Sequence, residues 1–253
     1  MKGRSLWMTA VALAAGIGLW PLGSRAEGPG CGAPAEYLVS GPLPGTSAAL
    51  ARGNLRVMVV GSASTQAGGT SSPSATWPQR FVRILSARTP GLNVEVQTFG
   101  GRGTTAADHS RLMAEHGPGL RPHLVIWQLG TVEAARGLSA DDMADMVQET
   151  TSRVRAARGE RTDMVLMDPQ FSRFLRANAD VESYRDKLRL AAAASGAQFF
   201  SRWSIMKFWA ENERLDLERA PRSLRVTIAD ELHDCLARAL VEFILDGARP
   251  APR

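Results

Sequence analysis

The stretch Leu55-Arg-Val-Met-Val-Val60, followed by Gly61-Ser-Ala-Ser-Thr65, decides the fold. A short, largely apolar run that stops at a glycine is typical of a strand buried inside a sheet. Runs of the same kind return further along the chain. Besides Leu55–Val60, the predicted strands are Leu92–Phe99, Leu124–Leu129, Met164–Met167 and Gln198–Phe200.

Helical patterns alternate with these strands. Trp77–Thr89 carries apolar side chains at helical spacing, and Ser139 can cap a helix whose first turn is acidic. The predicted helices are Trp77–Thr89, Thr105–His116, Ser139–Ala157, Val181–Ala194 and Asp234–Leu245. The alternation indicates a parallel sheet covered on both faces, so we assign residues 54–248 to one α/β domain.

Composition and charge exclude several classes of protein. Of the 253 residues, 44% are apolar and 22% are charged, which supplies one sizeable core and excludes a disordered or collagen-like chain. The formal net charge is +5, but Lys2, Arg4 and Arg25 lie in the first 26 residues, which hold no acidic side chain. The rest is nearly balanced and has no Lys/Arg block, so we expect no nucleic-acid partner.

The first 26 residues are typical of a secretory signal peptide. Met1-Lys-Gly-Arg4 is positively charged, Leu6–Leu22 is apolar, and Ser24-Arg25-Ala26 fits a cleavage site. An uncleaved membrane anchor is the alternative, although the glycines and the proline of the apolar run weaken such a helix. We therefore expect export to the periplasm or outside the cell. Residues 27–53, rich in Gly, Pro and Ala, predict an irregular leader.

Two cysteines stand far apart in the sequence. Cys31 lies in the leader and Cys235 in the last predicted helix. Because an exported protein meets an oxidising compartment, the pair predicts a disulfide between leader and helix. Two unpaired buried thiols are the alternative, and a zinc or redox motif would need closer spacing.

Four short segments stand at or beyond the ends of predicted strands, where sites form in an open parallel sheet. Neither a G-x-G-x-x-G nor a phosphate-binding G-x-x-x-x-G-K-[ST] segment is present, so nucleotide binding is not indicated. The four segments are Gly61-Ser-Ala-Ser-Thr65, Gly100-Gly-Arg-Gly-Thr104, Gly130-Thr-Val-Glu133 and Asp230-Glu-Leu-His233.

In order and spacing these segments resemble the sequence blocks of SGNH (GDSL-type) ester hydrolases, from Leu55 to Leu245. The resemblance implies a three-layer α/β/α sandwich around a mainly parallel, five-stranded, flavodoxin-like sheet. In that family a serine after the first strand is the nucleophile, a glycine and an asparagine complete the oxyanion hole, and an Asp-x-x-His supplies acid and base. Asp230 and His233 match the acid and base, and Gly103 matches the oxyanion glycine.

Two positions depart from the family pattern. Ala63 stands at the nucleophile position and Val132 at the oxyanion asparagine. Alanine has no oxygen to attack a carbonyl, and valine has no amide to stabilise an oxyanion. The resemblance therefore implies a catalytically degenerate member, a pseudoenzyme that retains its cleft. Ser62 and Ser64 flank the vacancy, and either is a candidate for a shifted nucleophile with His233 as its base.

The other polar residues near the predicted cleft are less specific. Glu133 and Asp168 are candidate ligand contacts, although Asp168 suits a turn role equally well. The three histidines His109, His116 and His123 are expected to be solvated or capping residues, because their spacing does not suit a shared metal ion. We predict no metal and no cofactor.

Three functions are compatible with this sequence. The first is an exported, degenerate SGNH protein whose cleft binds an acylated glycan or lipid ester of the cell envelope. The second is a weak ester hydrolase that uses Ser64 or Ser62 with His233 and Asp230. The third is a non-catalytic partner in an envelope assembly. The sequence does not indicate an oligomeric state.

Overall fold

The computed structural model describes residues 31–157, 161–212 and 215–249. The signal sequence expected over residues 1–26 lies outside these ranges. Within them, no helix is both long and apolar enough to cross a membrane.

One five-stranded parallel sheet forms the centre of the molecule, with strand order β2-β1-β3-β4-β5. The apolar runs seen in the sequence become its strands, as predicted. The strands are β1 (Asn54–Gly61), β2 (Asn93–Gly100), β3 (Leu124–Gln128), β4 (Asp163–Met167) and β5 (Gln198–Phe200).

Helices cover both faces of the sheet, which confirms the three-layer α/β/α architecture. The helices are α1 (Pro44–Ala51), α2 (Trp77–Arg88), α3 (Ala106–Leu120), α4 (Thr131–Arg136), α5 (Ala140–Ala156), α6 (Arg173–Asn178), α7 (Val181–Ser195), α8 (Arg202–Glu211) and α9 (Arg225–Gly247). Short 3₁₀ turns lie at Ala35–Tyr37, Ala63–Thr65, Pro73–Ala75 and Arg222–Leu224. Helices α1, α4, α6 and α8 were not expected from the sequence pattern.

Successive side chains of β1 enter two separate cores. Val57 and Val59 pack with α2 and α9 on one face, whereas Met58 and Val60 pack with α3, α5 and α7 on the other. Because both faces of the strand are covered, the run is apolar throughout and does not alternate with polar residues.

The strand ends that carry the candidate site meet at one edge of the sheet. Gly61 at the end of β1 pairs with Gly100 at the end of β2. Gly100 has a φ of +100°, and a Cβ there would stand 2.0 Å from the carbonyl oxygen of Gly61. Only glycine allows the two chains to approach this closely, so this register brings the loops after β1 and β2 together.

The leader is more ordered than the prediction of an irregular segment over residues 27–53. It contains α1, whose first turn donates two backbone N–H groups to the carboxylate of Asp163, from Thr46 at 2.6 Å and Gly45 at 3.3 Å. This carboxylate, at the start of β4, satisfies donors that a helix start otherwise leaves free. No local pattern indicated α1, because the residue that stabilises its first turn is distant in the chain.

The last helix begins at Arg225 and not at Asp234. Asp234 does not cap the helix but lies within it, where its carboxylate binds Arg80 and Arg83 of α2 and Arg238 of α9. This correction moves Asp230 and His233 from a loop onto the body of α9.

Cys31 and Cys235 form the predicted disulfide, with a sequence separation of 204 residues. The bridge joins the leader to α9 and packs against the core shared by α2 and α9.

Replacement of both cysteines by alanine is expected to lower the free energy of unfolding by about 2–5 kcal/mol, because the unfolded chain is freed from a long closed loop. Urea unfolding measures the loss. Reduction of the unmutated protein should have a similar effect, whereas reduction should leave the double variant unchanged. Equal stability of the oxidised protein and the double variant would contradict this account.

Candidate active site

A cavity of about 120 Å³ lies at the carboxyl edge of the sheet, between the loop after β1 and helices α8 and α9. Its polar lining comes from separate parts of the chain, and its apolar lining comes mainly from α8, α9 and the loops beside them. The lining includes Ser64, Gly68, Gln170, Arg202 and His233, with Phe171, Met206, Leu215, Leu232 and Leu236 as apolar walls.

The nucleophile position lies in the 3₁₀ turn that follows β1. Ala63 is half-buried there, between the two serines proposed as alternatives. The side chain of Gln128, at the end of β3, binds both: Ser64 Oγ donates to its Oε1 at 2.7 Å, and its Nε2 donates to Ser62 Oγ at 3.3 Å. The hydroxyl hydrogen of Ser64 is therefore directed at an amide oxygen and not at His233.

His233 is held by the first residue of α2. The backbone N–H of Trp77 donates to Nδ1 of His233 at 2.9 Å. A neutral imidazole has one lone pair and one N–H, so acceptance at Nδ1 leaves the hydrogen on Nε2. Burial, together with the charges of Arg202 and Arg80, lowers the pKa of His233 to about 3, and the neutral form therefore prevails at neutral pH.

Asp230 has a different partner. Its carboxylate accepts the backbone N–H of Ser71 at 2.9 Å and the Ser71 hydroxyl at 2.5 Å. Among the contacts of the described residues, none is a hydrogen bond or ion pair between Asp230 and His233. The acid and base that the sequence predicts thus lie one helical turn apart on α9, and the structure does not join them into a dyad.

Gly68 is packed against the other side of the imidazole. It has a φ of +42°, and a Cβ there would lie 2.9 Å from Nε2 of His233 and 2.9 Å from Cα of Ser64. Any side chain would press against the imidazole and the backbone of the loop after β1. The glycine keeps the edge of the imidazole that carries Nε2 close to this loop.

The two oxyanion positions follow different strands, Gly103 in the loop after β2 and Val132 in α4 after β3. Gly103 has a φ of +79° and lies beneath the guanidinium of Arg136, whose Nη2 is 2.9 Å from the place of a Cβ. Val132 is half-buried in α4. Its side chain brings no hydrogen-bond donor, so the loop after β3 lacks the amide that an oxyanion hole of the SGNH type would use.

Glu133 and Asp168 are buried, which corrects the expectation that they contact a ligand. Glu133 is 2% exposed and accepts the N–H groups of Ala106 and Gly130, which caps α3 and α4. Asp168 is fully buried and accepts from the N–H of Trp203 and from Arg185. Both carboxylates hold loops in place from below the surface.

Arg202, Gln128 and the N–H of Trp77 are parts of the site that the sequence reasoning missed. Arg202 is the first residue of α8 and donates to Ser64 Oγ at 3.3 Å and to Gln170 Oε1 at 3.2 Å. A signal existed for Gln128, because it is a polar residue at the carboxyl end of an apolar strand. Arg202 follows the short strand β5 in the same way.

His109 and His123 are buried, against the expectation of solvated or capping residues. His109 accepts from Trp127 Nε1 at 3.0 Å and lies 2.8 Å from Thr104 Oγ1, so it supports the loop after β2. In the parts of the chain that the structure describes, no three His, Cys, Asp or Glu side chains converge on a point where a metal ion could bind.

Residues 30–250 match the model of the non-GDSL lipase-like family. No curated protein matches the chain by sequence. The fold is similar to that of TesA, with 17% identity, 73% of this chain and 97% of TesA covered, and a TM-score of 0.53.

Two further solved structures are similar. One is a variant of Axe2, an acetyl-xylooligosaccharide esterase from Geobacillus stearothermophilus, with 18% identity, coverage of 75% of this chain and 94% of that one, and a TM-score of 0.56. The other is the psychrotrophic esterase EstA from Pseudoalteromonas sp., with 12% identity, coverage of 73% and 98%, and a TM-score of 0.53. The likeness confirms the SGNH-type fold that the sequence implied.

The buried histidines predict a loss of stability in acid. Burial lowers the pKa of His109 to about 4 and that of His233 to about 3, from an ordinary value of 6.5. At a pH between the ordinary pKa of 6.5 and the lowered pKa of each folded histidine, the unfolded chain binds protons that the folded chain does not. The free energy of unfolding should therefore fall as the pH drops below 6.5.

Urea titrations between about pH 7.5 and about pH 4 measure this dependence. His109→Gln should flatten it, because the variant has no imidazole to protonate on unfolding. His116→Gln is the matched control, since the side chain of His116 is 38% exposed. An equal pH dependence in the His109 variant and the unmutated protein would contradict the assignment.

Proposed function

Since the chain belongs to the non-GDSL lipase-like family, we propose that it is an exported, catalytically inactive member that uses its cleft to bind an acylated glycan or a lipid ester. The fold and the cleft are those of an ester hydrolase, whereas the groups for serine catalysis are absent or engaged elsewhere. Binding without turnover is the function that this combination supports best.

The hydrogen bond between Trp77 and His233 carries the proposal. A serine nucleophile must give its proton to a lone pair on the histidine, and in SGNH-type catalysis the acid orients the imidazole from the opposite nitrogen. Here the lone pair of His233 is on Nδ1 and is occupied by a backbone N–H. Even with a serine beside it, this imidazole would present a donor and not a base.

Ala63 and Val132 each remove a group that serine catalysis requires. Loss of a nucleophile removes most of the rate enhancement of a serine hydrolase, and loss of one oxyanion donor costs about 10²–10³ in rate. The combination of Ala63, Val132 and the engaged His233 therefore supports an inactive site more strongly than any one of them. The hydrogen bond from Ser64 to Gln128 weighs against a shifted nucleophile.

The ligand class is proposed from the family of the chain and from the solved structures that share its fold. The family description refers to lipases, and Axe2 is described as an acetyl-xylooligosaccharide esterase. Both activities concern acyl esters, one of lipids and one of glycans. Export is supported by the N-terminal sequence and by the disulfide, since such bridges persist in oxidising compartments such as the periplasm.

A fluorophosphonate probe should leave no adduct on Ser62 or Ser64, because neither serine is bonded to a base that would activate it. Mass spectrometry of the mature domain detects any adduct, and an active SGNH esterase labelled in parallel is the control. An adduct on Ser62 or Ser64 that disappears in His233→Ala would establish a shifted nucleophile and the weak ester hydrolase instead.

The double substitution Ala63→Ser with Val132→Asn should not restore measurable ester hydrolysis. The nucleophile and the oxyanion donor would return, but the lone pair of His233 would still face Trp77, and Asp230 would still bind Ser71. Hydrolysis of p-nitrophenyl acetate by the folded variant is the assay, and the unmutated protein is its reference. Turnover well above that reference would contradict this prediction and show that Ala63 and Val132 alone account for the lack of activity.

A further inference from the structure

Arg202 places a positive charge at the wall of the cavity without a bonded carboxylate. The side chain is 2% exposed, and its two recorded hydrogen bonds go to neutral groups, Ser64 Oγ and Gln170 Oε1. Its Nε has no partner among the described residues, and none of their ion pairs involves Arg202. Burial lowers the pKa of Arg202 to about 10, so the guanidinium remains charged at neutral pH. A buried charge that no carboxylate contacts directly is costly, which points to an anion that is supplied from outside.

The acidic groups near the cavity are bonded elsewhere. Asp168, which acts on Arg202 electrostatically, is bonded to Arg185 and to the N–H of Trp203. At the mouth, Asp216 is paired with Arg173, and Glu218 accepts from Ser172 and the N–H of Arg173. None of these carboxylates is bonded to Arg202, so its charge is available to a ligand.

A second polar group at the cavity is a donor as well. The hydrogen on Nε2 of His233 lies on the side of the imidazole next to Gly68 and Ser64. The hydroxyl of Ser64 accepts from Arg202 and gives its own hydrogen to Gln128, so it offers the ligand no donor. A guanidinium and an imidazole N–H at one cavity suit a planar carboxylate, which accepts hydrogen bonds along both oxygens.

Apolar side chains form much of the remaining wall of the cavity, which opens outward past Asp216 and Glu218. Phe171, Met206 and Leu236 are among its walls. A second, shallower groove of about 580 Å³ adjoins it and shares Gly68, Leu217, Glu218 and Ala229 with it. The groove is lined by two strongly exposed apolar side chains, Phe174 at 71% and Val226 at 48%.

The volume of the inner cavity limits how much of a ligand can lie inside it. An apolar cavity of about 150 Å³ holds a benzene-sized molecule, so the inner cavity of about 120 Å³ holds a carboxylate and a few carbons. Any longer chain would lie in the outer groove, against Phe174 and Val226. A charged head inside and an apolar tail outside is the arrangement that these surfaces fit.

We propose that the cavity binds the free carboxylate of a monocarboxylic acid with an apolar chain, with Arg202 and Nε2 of His233 as its donors. Such an acid is what hydrolysis of an acyl ester releases, and it shares its acyl chain with the ester ligands proposed above. The inference rests on the proposed function, because it takes the cleft to be a binding site without turnover.

Calorimetric titration with sodium hexanoate and with hexanamide tests the charge requirement, since the two probes have the same chain and nearly the same shape. Hexanoate should bind about 10- to 100-fold more tightly, as expected for hydrogen bonds to a charged group. Arg202→Met should abolish that preference, and Arg202→Lys should retain part of it. Arg111→Met, on the exposed surface of α3 and outside both the cavity and the groove, is the matched control and should bind hexanoate as the unmutated protein does.

Equal affinity for both probes, or no binding of hexanoate, would overturn the inference, and this comparison needs no variant to fold. Undiminished binding of hexanoate by a folded Arg202→Met, or its loss in Arg111→Met, would overturn it too. The proposed function is tested separately, by measuring the hydrolysis of p-nitrophenyl hexanoate by the same protein preparation. Turnover would refute the inactive cleft, whereas failure to bind hexanoate without turnover would refute the carboxylate site alone.

Discussion

The hydrogen bond from the backbone N–H of Trp77 to Nδ1 of His233 joins the first turn of α2 to the body of α9. A helix start has N–H groups that need an acceptor, and here a side chain of the neighbouring helix supplies one. The same contact determines the tautomer of His233, while burial and the charges of Arg202 and Arg80 keep the imidazole neutral. The packing of α2 on α9 and the chemistry available in the cleft therefore depend on one interaction, and a change in either helix would alter both.

The charges around the cleft form a second constraint. Asp168 lies under the site and is bonded to Arg185 and to the start of α8, which in turn positions Arg202. In an ester hydrolase of this fold, the cleft would need a base and a hole for a transient oxyanion. In this protein the base is neutral and protonated at Nε2, and a permanent cation stands beside it. These two features are the electrostatic basis of the carboxylate site proposed above.

The sequence predicted the sheet and its major helices, because apolar runs and their periodicity are local signals. It also located the three segments that follow β1, β2 and β3, since parallel strands end at one edge, but it placed Asp230 and His233 in a loop and not on α9. What it could not predict are contacts between distant residues: the donation from Trp77 to His233, the capping of α1 by Asp163, and the role of Asp234 in binding α2. Each depends on a partner that only the folded chain brings near. For the same reason Glu133, read as a ligand contact, proved to be a buried cap.

The disulfide sets an order of events during synthesis. Cys31 precedes the whole sheet, and Cys235 lies in the helix that follows its last strand. The bridge can close in its native geometry only after all five strands have been made and α9 has docked. Until then Cys31 remains a free thiol on a chain that is still emerging, so formation of this bond marks the completion of the domain that contains the cleft.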